Sequence, residues 1–270
     1  MHKKIRLNAA ALAGLLIILF FLIIAVFAPV LAPYDPKEMI ASYLPPSREH
    51  ILGTNDVGQD IFSEMVYGTR VSLYIGIFAA FIVTGVGTVL ALVSGYFGGV
   101  TDKIITAITN IAMAVPSLPL TVLLVAYLNP GKWSLIIAIS VTAWTGTARI
   151  LRSRVMQLKE LPFIKIEKTM GVHPVVILFK HILPNIKDII LTRGAMAISG
   201  AMMTEAGLSF LGLGEFGEKS WGSVLHYAFF RNSIMKKQYW WYVPPIICIC
   251  VCVFGFMLIG YYGKIKKGEE

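Results

Sequence analysis

Apolar residues along this chain gather into six blocks, at about 7–30, 71–94, 104–128, 133–150, 189–211 and 240–262, each bounded by polar or turn residues. Each block approaches the length of about 20 apolar residues that crosses a hydrocarbon core of about 30 Å. The pattern predicts an all-α membrane protein with about six transmembrane helices. Pro116 and Pro119 interrupt the third block. A membrane helix tolerates such breaks where neighbouring helices or water satisfy the freed carbonyls, so this block is expected inside a bundle rather than against lipid. The first block follows a basic start, and Val26-Phe27-Ala28 resembles a signal-peptide cleavage site. Its apolar run exceeds an h-region of about 7–15 residues and Pro29 follows at once, so a retained anchor is expected.

Composition agrees with this reading. AVILMFWYC make up 56% of the 270 residues, charged residues 14%, and the mean hydropathy is +0.72. That is too little charge to cover a water-facing surface, which excludes a soluble, disordered, collagen-like or coiled-coil chain. Six crossings use about 120 residues, leaving little room for a separate catalytic domain. The net charge of +9 would suit nucleic acid, but Lys and Arg are confined to short stretches between the blocks, as in a membrane protein with a positive cytoplasmic side. With the amino terminus inside, fifteen Lys and Arg fall in inner segments and eight in outer ones. Both termini are therefore expected in the cytoplasm, with no nucleic-acid partner. Cys248, Cys250 and Cys252 share one apolar run and read as small packing residues; no disulfide or metal site is expected there.

The positive excess is largest between the fourth and fifth blocks, at 151–188. Phe163, Ile166 and Met170 recur at spacings of three and four, with lysines on the other side. Gly171 can enter a left-handed cap, and Pro174 suits the first turn of a new helix. The expected unit is a helix, a tight turn and a second helix ending at Leu183-Pro184. Its apolar ridge could lie on anionic lipid or dock into a groove on a partner protein.

These residues resemble the cytoplasmic EAA loop of ABC importer permeases, in which Glu-Ala-Ala, three residues and Gly precede a short element ending in Leu-Pro. Lys165 to Gly171 reads KIEKTMG, followed by VHPVVILFKHILP. Lys165 stands in place of the family's Glu, and Ile166 and Glu167 in place of the alanines. The resemblance assigns ATPase coupling to Lys165, Glu167, Met170, Gly171, His181, Leu183 and Pro184. Three further stretches, ILGTNDVGQDIFSEMVYGTRVSL from Ile51, SGYFGG from Ser94, and EAGLSFLGLG from Glu205 with SWG after it, are similar to the dipeptide, oligopeptide and nickel permease family, specifically its C-type subunit. Tyr34-Asp35-Pro36 fits the same subunit.

The resemblance implies a type I ABC importer permease in the bacterial cell membrane, forming half of a path for di- or oligopeptides or a related solute such as nickel or a metal chelate. Its partners would be a homologous B-type permease, two cytoplasmic ATPases and an extracytoplasmic binding protein, with ATP and Mg bound by the ATPases and no cofactor in this chain. Residues 1–70 would form an anchor helix and outer loop, 71–262 the permease core and 263–270 a cytoplasmic tail. A secondary transporter or channel is the alternative; it predicts an internal repeat and paired mid-membrane charges, and neither is visible.

Other chemistry is sparse. Small residues such as Gly76, Gly87, Gly194, Gly200 and Gly207 make the second and fifth blocks candidates for the partner interface and the path. Arg193 and Glu205 are ionisable groups inside an apolar block, which suggests a path by default. With Ser199, Gly200 and Met203 they form the path or helix-interface candidates; the plainer roles are a snorkelling Arg193 and a hydrogen-bonded Glu205. Gly212-Leu-Gly214-Glu-Phe-Gly217 is a literal G-x-G-x-x-G, but it follows a membrane helix rather than a strand, and Glu218 breaks a P-loop reading at Lys219. His173, His181 and His226 suit caps and hydrogen bonds better than nickel. Asn55, Asp56 and Asp60 beside Gly53 and Gly58 are turn chemistry. Tyr239, Trp240, Trp241 and Tyr242 read as an interfacial aromatic belt.

Overall fold

The computed structural model describes residues 8–263, which are predominantly helical. Lys3, Lys4, Arg6, Lys264, Lys266 and Lys267, which entered the orientation count, lie outside the described residues, as do all but the first residue of the expected tail. Asn8 caps α1, Ala9–Val26, and the short α2, Ala28–Leu31, follows at Pro29. The loop after it leads to α3, Ile61–Phe97, which starts ten residues before the second apolar block. The cap explains the early start: the Asp60 carboxylate accepts from the Ser63 amide at 2.8 Å. At 1.5 Å per residue α3 is about 55 Å long.

The third block departs from expectation. It forms two helices, α4, Gly99–Ala114, and α5, Ser117–Leu128, bent by 87°. Pro116 holds Val115 in an extended conformation (φ −82°, ψ 128°), because a residue before proline is pushed out of the helical region. The pair is also mostly exposed; only Thr109, Thr121 and Val125 are buried. Burial inside this subunit's own bundle is thereby ruled out, and the bend satisfies the chain's geometry instead.

The helix α6, Lys132–Lys159, runs past the fourth block into what looked like loop. After it come α7, Pro162–Thr169, and α8, Pro174–Ile177. A π-helical turn, Leu178–Ile182, leads directly into α9, Leu183–Leu208. The second loop helix therefore does not end at Leu183-Pro184. Proline lacks an N–H and would crowd the carbonyl four residues back; the wide turn just before it takes up that misfit, and the helix continues. A second π turn, Ser209–Leu213, precedes α10, Trp221–Phe230, and α11, Tyr239–Tyr262.

The helices α1, α3, α6 and α11 are individually long and apolar enough to span a membrane; α4 and α5 reach that measure only as a pair, as a broken span or a re-entrant loop. The 26-residue α9 has the length, but Lys187, Asp188, Arg193 and Glu205 dilute its apolar character. Three clusters hold the bundle. Phe21, Ile61, Met202, Trp221, Trp241 and Phe256 join α1, α3, α9, α10 and α11. Ile75, Val125, Ile136, Ile139 and Ala201 join α3, α5, α6 and α9. Leu92, Val155, Ile164, Ile177 and Ile182 fasten the loop helices to the ends of α3 and α6.

Trp241 belongs to the first cluster at 1% exposure, so it is a core residue rather than part of an interfacial belt. Small residues of α3 serve packing within the subunit: a β-carbon on Gly87 would stand 2.9 Å from Thr147 of α6.

Candidate coupling surface and translocation face

The α7–α8 loop is built from local rules. Pro162 occupies the first helical position of α7. At its end Gly171 has φ +76°. The Val172 amide donates to the Glu167 carbonyl at 3.1 Å and the Gly171 amide to that of Lys168 at 3.2 Å. This paired closure is a Schellman cap, whose left-handed residue favours glycine. Immediately after, His173 Nδ1 accepts from the Val175 amide at 3.3 Å, capping α8. The loop therefore turns sharply and stays short.

Its two sides differ. Ile164, at 2% exposure, Ile177 and Ile182 point into the third cluster. Phe163, Ile166, Met170, Val176 and Phe179 are exposed, Met170 at 75%. This apolar ridge lies beyond the end of α6 and is uncovered among the described residues. His181 Nε2 approaches Glu167 Oε1 at 2.8 Å and so ties the π turn to α7; Phe163 packs edge-on against the His181 ring. Lys165, exposed, reaches Glu160 at 2.9 Å, and its hydrogen bond holds the Glu160 carboxyl below the usual range. Leu183 is half-buried and Pro184 exposed. The expected coupling residues thus share one end of the molecule, with Glu167 and His181 in contact.

The five path candidates on α9 separate. Gly200 and Met203 are exposed, and with Gly207 they recur at spacings of three and four, forming one open face. Ser199 turns the other way and donates to the Val253 carbonyl of α11 at 3.2 Å. Glu205 is 1% exposed: its Oε1 accepts from Ser209 at 2.7 Å and its Oε2 from Ser72 at 3.2 Å. Ser72 Oγ in turn accepts from the Trp221 amide at 3.3 Å. Glu205 is therefore a buried junction of α3, α9 and α10, satisfied as a buried carboxylate must be. Arg193 is half-buried, its guanidinium 3.7 Å from the Met196 sulfur, with Nε unpartnered among the described residues.

One polar cluster had no sequence signal strong enough to find it. Asn55, Gln59 and Glu64, at the start of α3, converge on Lys219: Asn55 donates to Glu64 at 2.9 Å, and Lys219 Nζ contacts both Gln59, at 2.6 Å, and Glu64. Lys219 and Glu64 are 155 residues apart, and the sequence showed Lys219 only as part of a false P-loop. His226 Nδ1 lies 2.7 Å from the Phe210 carbonyl, which fixes the second π turn.

Residues 87–263 match the family described as "binding-protein-dependent transport system inner membrane component". Residues 1–46 match the "N-terminal TM domain of oligopeptide transport permease C". The chain is 37% identical over 262 residues to the oligopeptide transport system permease protein OppC of Bacillus subtilis (strain 168), covering 95% of this chain and 84% of that protein. It is 34% identical to the glutathione transport system permease protein GsiD of Pectobacterium atrosepticum, covering 96% and 86%. In fold it is similar to a chain of the MetNI methionine ABC transporter in an inward-facing conformation, with a TM-score of 0.60 at 17% identity, covering 74% of this chain and 94% of that one. On its sequence, its helical architecture and these matches, the chain belongs to the family of binding-protein-dependent transport system inner membrane components, among the permease C proteins.

Proposed function

We propose that this chain is the C-type permease of an ATP-driven importer of di- or oligopeptides in a bacterial cell membrane, with both termini in the cytoplasm. It pairs with a homologous B-type permease, takes substrate from an extracytoplasmic binding protein and couples to two ATPase subunits, which bind ATP and Mg. The observation that carries this reading is the exposed apolar ridge of the α7–α8 loop. An apolar surface of this kind, rimmed by charge, marks an interaction site, and the rigid fastening beneath it suits a lever. When the ATPases close on ATP, the ridge moves with them; α6 and α9, continuous with the loop, carry the motion to the open face of α9, and access to the path alternates. Relatives named for peptides and glutathione favour a peptide over nickel.

Purification of the chain with candidate ATPase subunits in detergent tests this. The ATPases are expected to travel with the wild-type chain. Ile166→Asp places a charge in the exposed ridge and should weaken the association about tenfold or more, as loss of an interface anchor does. Gradient-driven uptake by the wild-type chain alone, in liposomes without ATP, would instead establish the secondary-transporter alternative and end this reading.

A further inference from the structure

At the end of the bundle opposite the coupling loop, a cavity of about 1080 Å³ opens between the start of α3, the first residue of α6 and residues 209–231. It is slightly larger than the range of about 300–1,000 Å³ typical of small-molecule sites. Glu64, Tyr67, Val71 and Tyr74 of α3 line it at spacings of three, four and three, which is one stripe of a helix. Arg70 stands beside that stripe.

Most of its charges are matched within the protein. Asp56 lies 2.7 Å from Arg231, and Lys132 pairs with Glu215 at 3.3 Å and also with Glu218. Three lining charges, Asp35, Lys37 and Arg70, have no ion pair among the described residues, and one oxygen of Glu64 is unused; Arg70 and Glu64 share α3. Arg70 is exposed and has no carboxylate within 4.0 Å among the described residues. The Glu64 side chain is 1% exposed; Lys219 and Asn55 use its Oε1, while Oε2 has no partner among the described residues. A buried carboxylate oxygen without a donor is costly, and it calls for an N–H from a ligand on the same wall. A guanidinium without a partner calls for a carboxylate, which it holds by paired hydrogen bonds.

We propose that this cavity is a receiving subsite for a short zwitterionic peptide: Arg70 takes the C-terminal carboxylate, Glu64 the N-terminal ammonium, and Tyr67 and Tyr74 flank the body. The assignment rests on the peptide-importer reading above. Six residues separate Glu64 from Arg70, about 9 Å along a helix axis, which is the reach of roughly three extended residues.

Equilibrium binding of radiolabelled tri-alanine to the assembled transporter, without its binding protein, tests this site. Unlabelled tri-alanine should compete about tenfold better than tri-alanine amide or N-acetyl-tri-alanine. Arg70→Ala should remove the preference over the amide and keep the preference over the acetylated peptide; Arg70→Lys should restore part of it. Glu64→Gln should remove the other preference, and because Glu64 is buried the exposed Arg70 pair decides if that variant fails to assemble. Absence of wild-type binding, equal competition by the amide, or an unchanged preference in Arg70→Ala would overturn the subsite. Uptake of tri-alanine by the complete importer, driven by ATP and dependent on the binding protein, is measured in parallel. If uptake is present the functional reading stands whatever becomes of the subsite; if no peptide is taken up, that reading fails with it.

Discussion

Gly171→Val should abolish ATP-driven transport while leaving the membrane helices folded. Gly171 closes α7 with φ +76° and with amide bonds from residues 171 and 172 back into the helix. A left-handed conformation costs an ordinary L-residue roughly 1–2 kcal/mol, and a β-branched side chain makes such a φ a true outlier. A β-carbon there would meet nothing within 4 Å, so the penalty is in the backbone alone. The chain relieves it by opening the turn, which swings Met170 away from the ridge formed with Val176 and Phe179. Because the third cluster is anchored by Ile164 and Ile177 on either side of the turn, the bundle beneath keeps its packing. Gly171→Asn should be milder, since Asn tolerates the left-handed region better than other residues. Uptake into proteoliposomes, together with recovery of the ATPases on the purified chain, gives the measure. Equal transport by the Val and wild-type chains would mean that the turn geometry is irrelevant to coupling.

Local signals made the α7–α8 loop the most legible part of the chain. Gly171, Pro174 and the spacing of Phe163, Ile166 and Met170 each act within a few residues, and the structure puts a left-handed turn, a helix start and an exposed ridge at those positions. The apolar blocks were legible for the same reason, since a span of about 20 residues is its own signal. Interactions over long sequence distances were not legible. The sequence leaves Glu205 open between a path role and a hydrogen bond to a neighbouring helix; the bond is there, but its partner, Ser72, stands 133 residues away and could not be named from a local pattern. Helix α10 passed unnoticed because its ten residues are too few to look like a span, although Ser220 and Ser223 cap each other at its start. The bend at Pro116 was visible as a break, but whether neighbours cover the broken helix depends on packing, and packing is not written in a local pattern.

Gly222→Val is expected to disrupt the fold strongly. Gly222 lies in the first turn of α10, where that helix crosses α9. A β-carbon there would stand 2.6 Å from the Ala206 carbonyl oxygen, 2.8 Å from the Ala206 Cα and 2.9 Å from the Ser209 Cβ. Two of these atoms are backbone and cannot rotate aside, so α10 must move outward. The neighbouring Trp221 prevents an easy shift: its ring is fully buried, its Nε1 donates to the Met65 carbonyl at 3.1 Å, and its amide donates to Ser72. Displacing α10 would break both bonds and strip Ser72 from its place between Trp221 and Glu205. Overpacking of this kind costs typically 1–3 kcal/mol, to which the orphaned polar groups add about 1–3 kcal/mol each. For a chain of this size each kcal/mol is worth about 2–4 °C, so a fall of roughly 10 °C in the thermal midpoint is expected in detergent. Gly207→Ala serves as the comparison, because a β-carbon at that position on the open face of α9 meets nothing within 4 Å. If both variants melted with the wild type, the contact between α9 and α10 could not be the tight junction that the Gly222 distances describe.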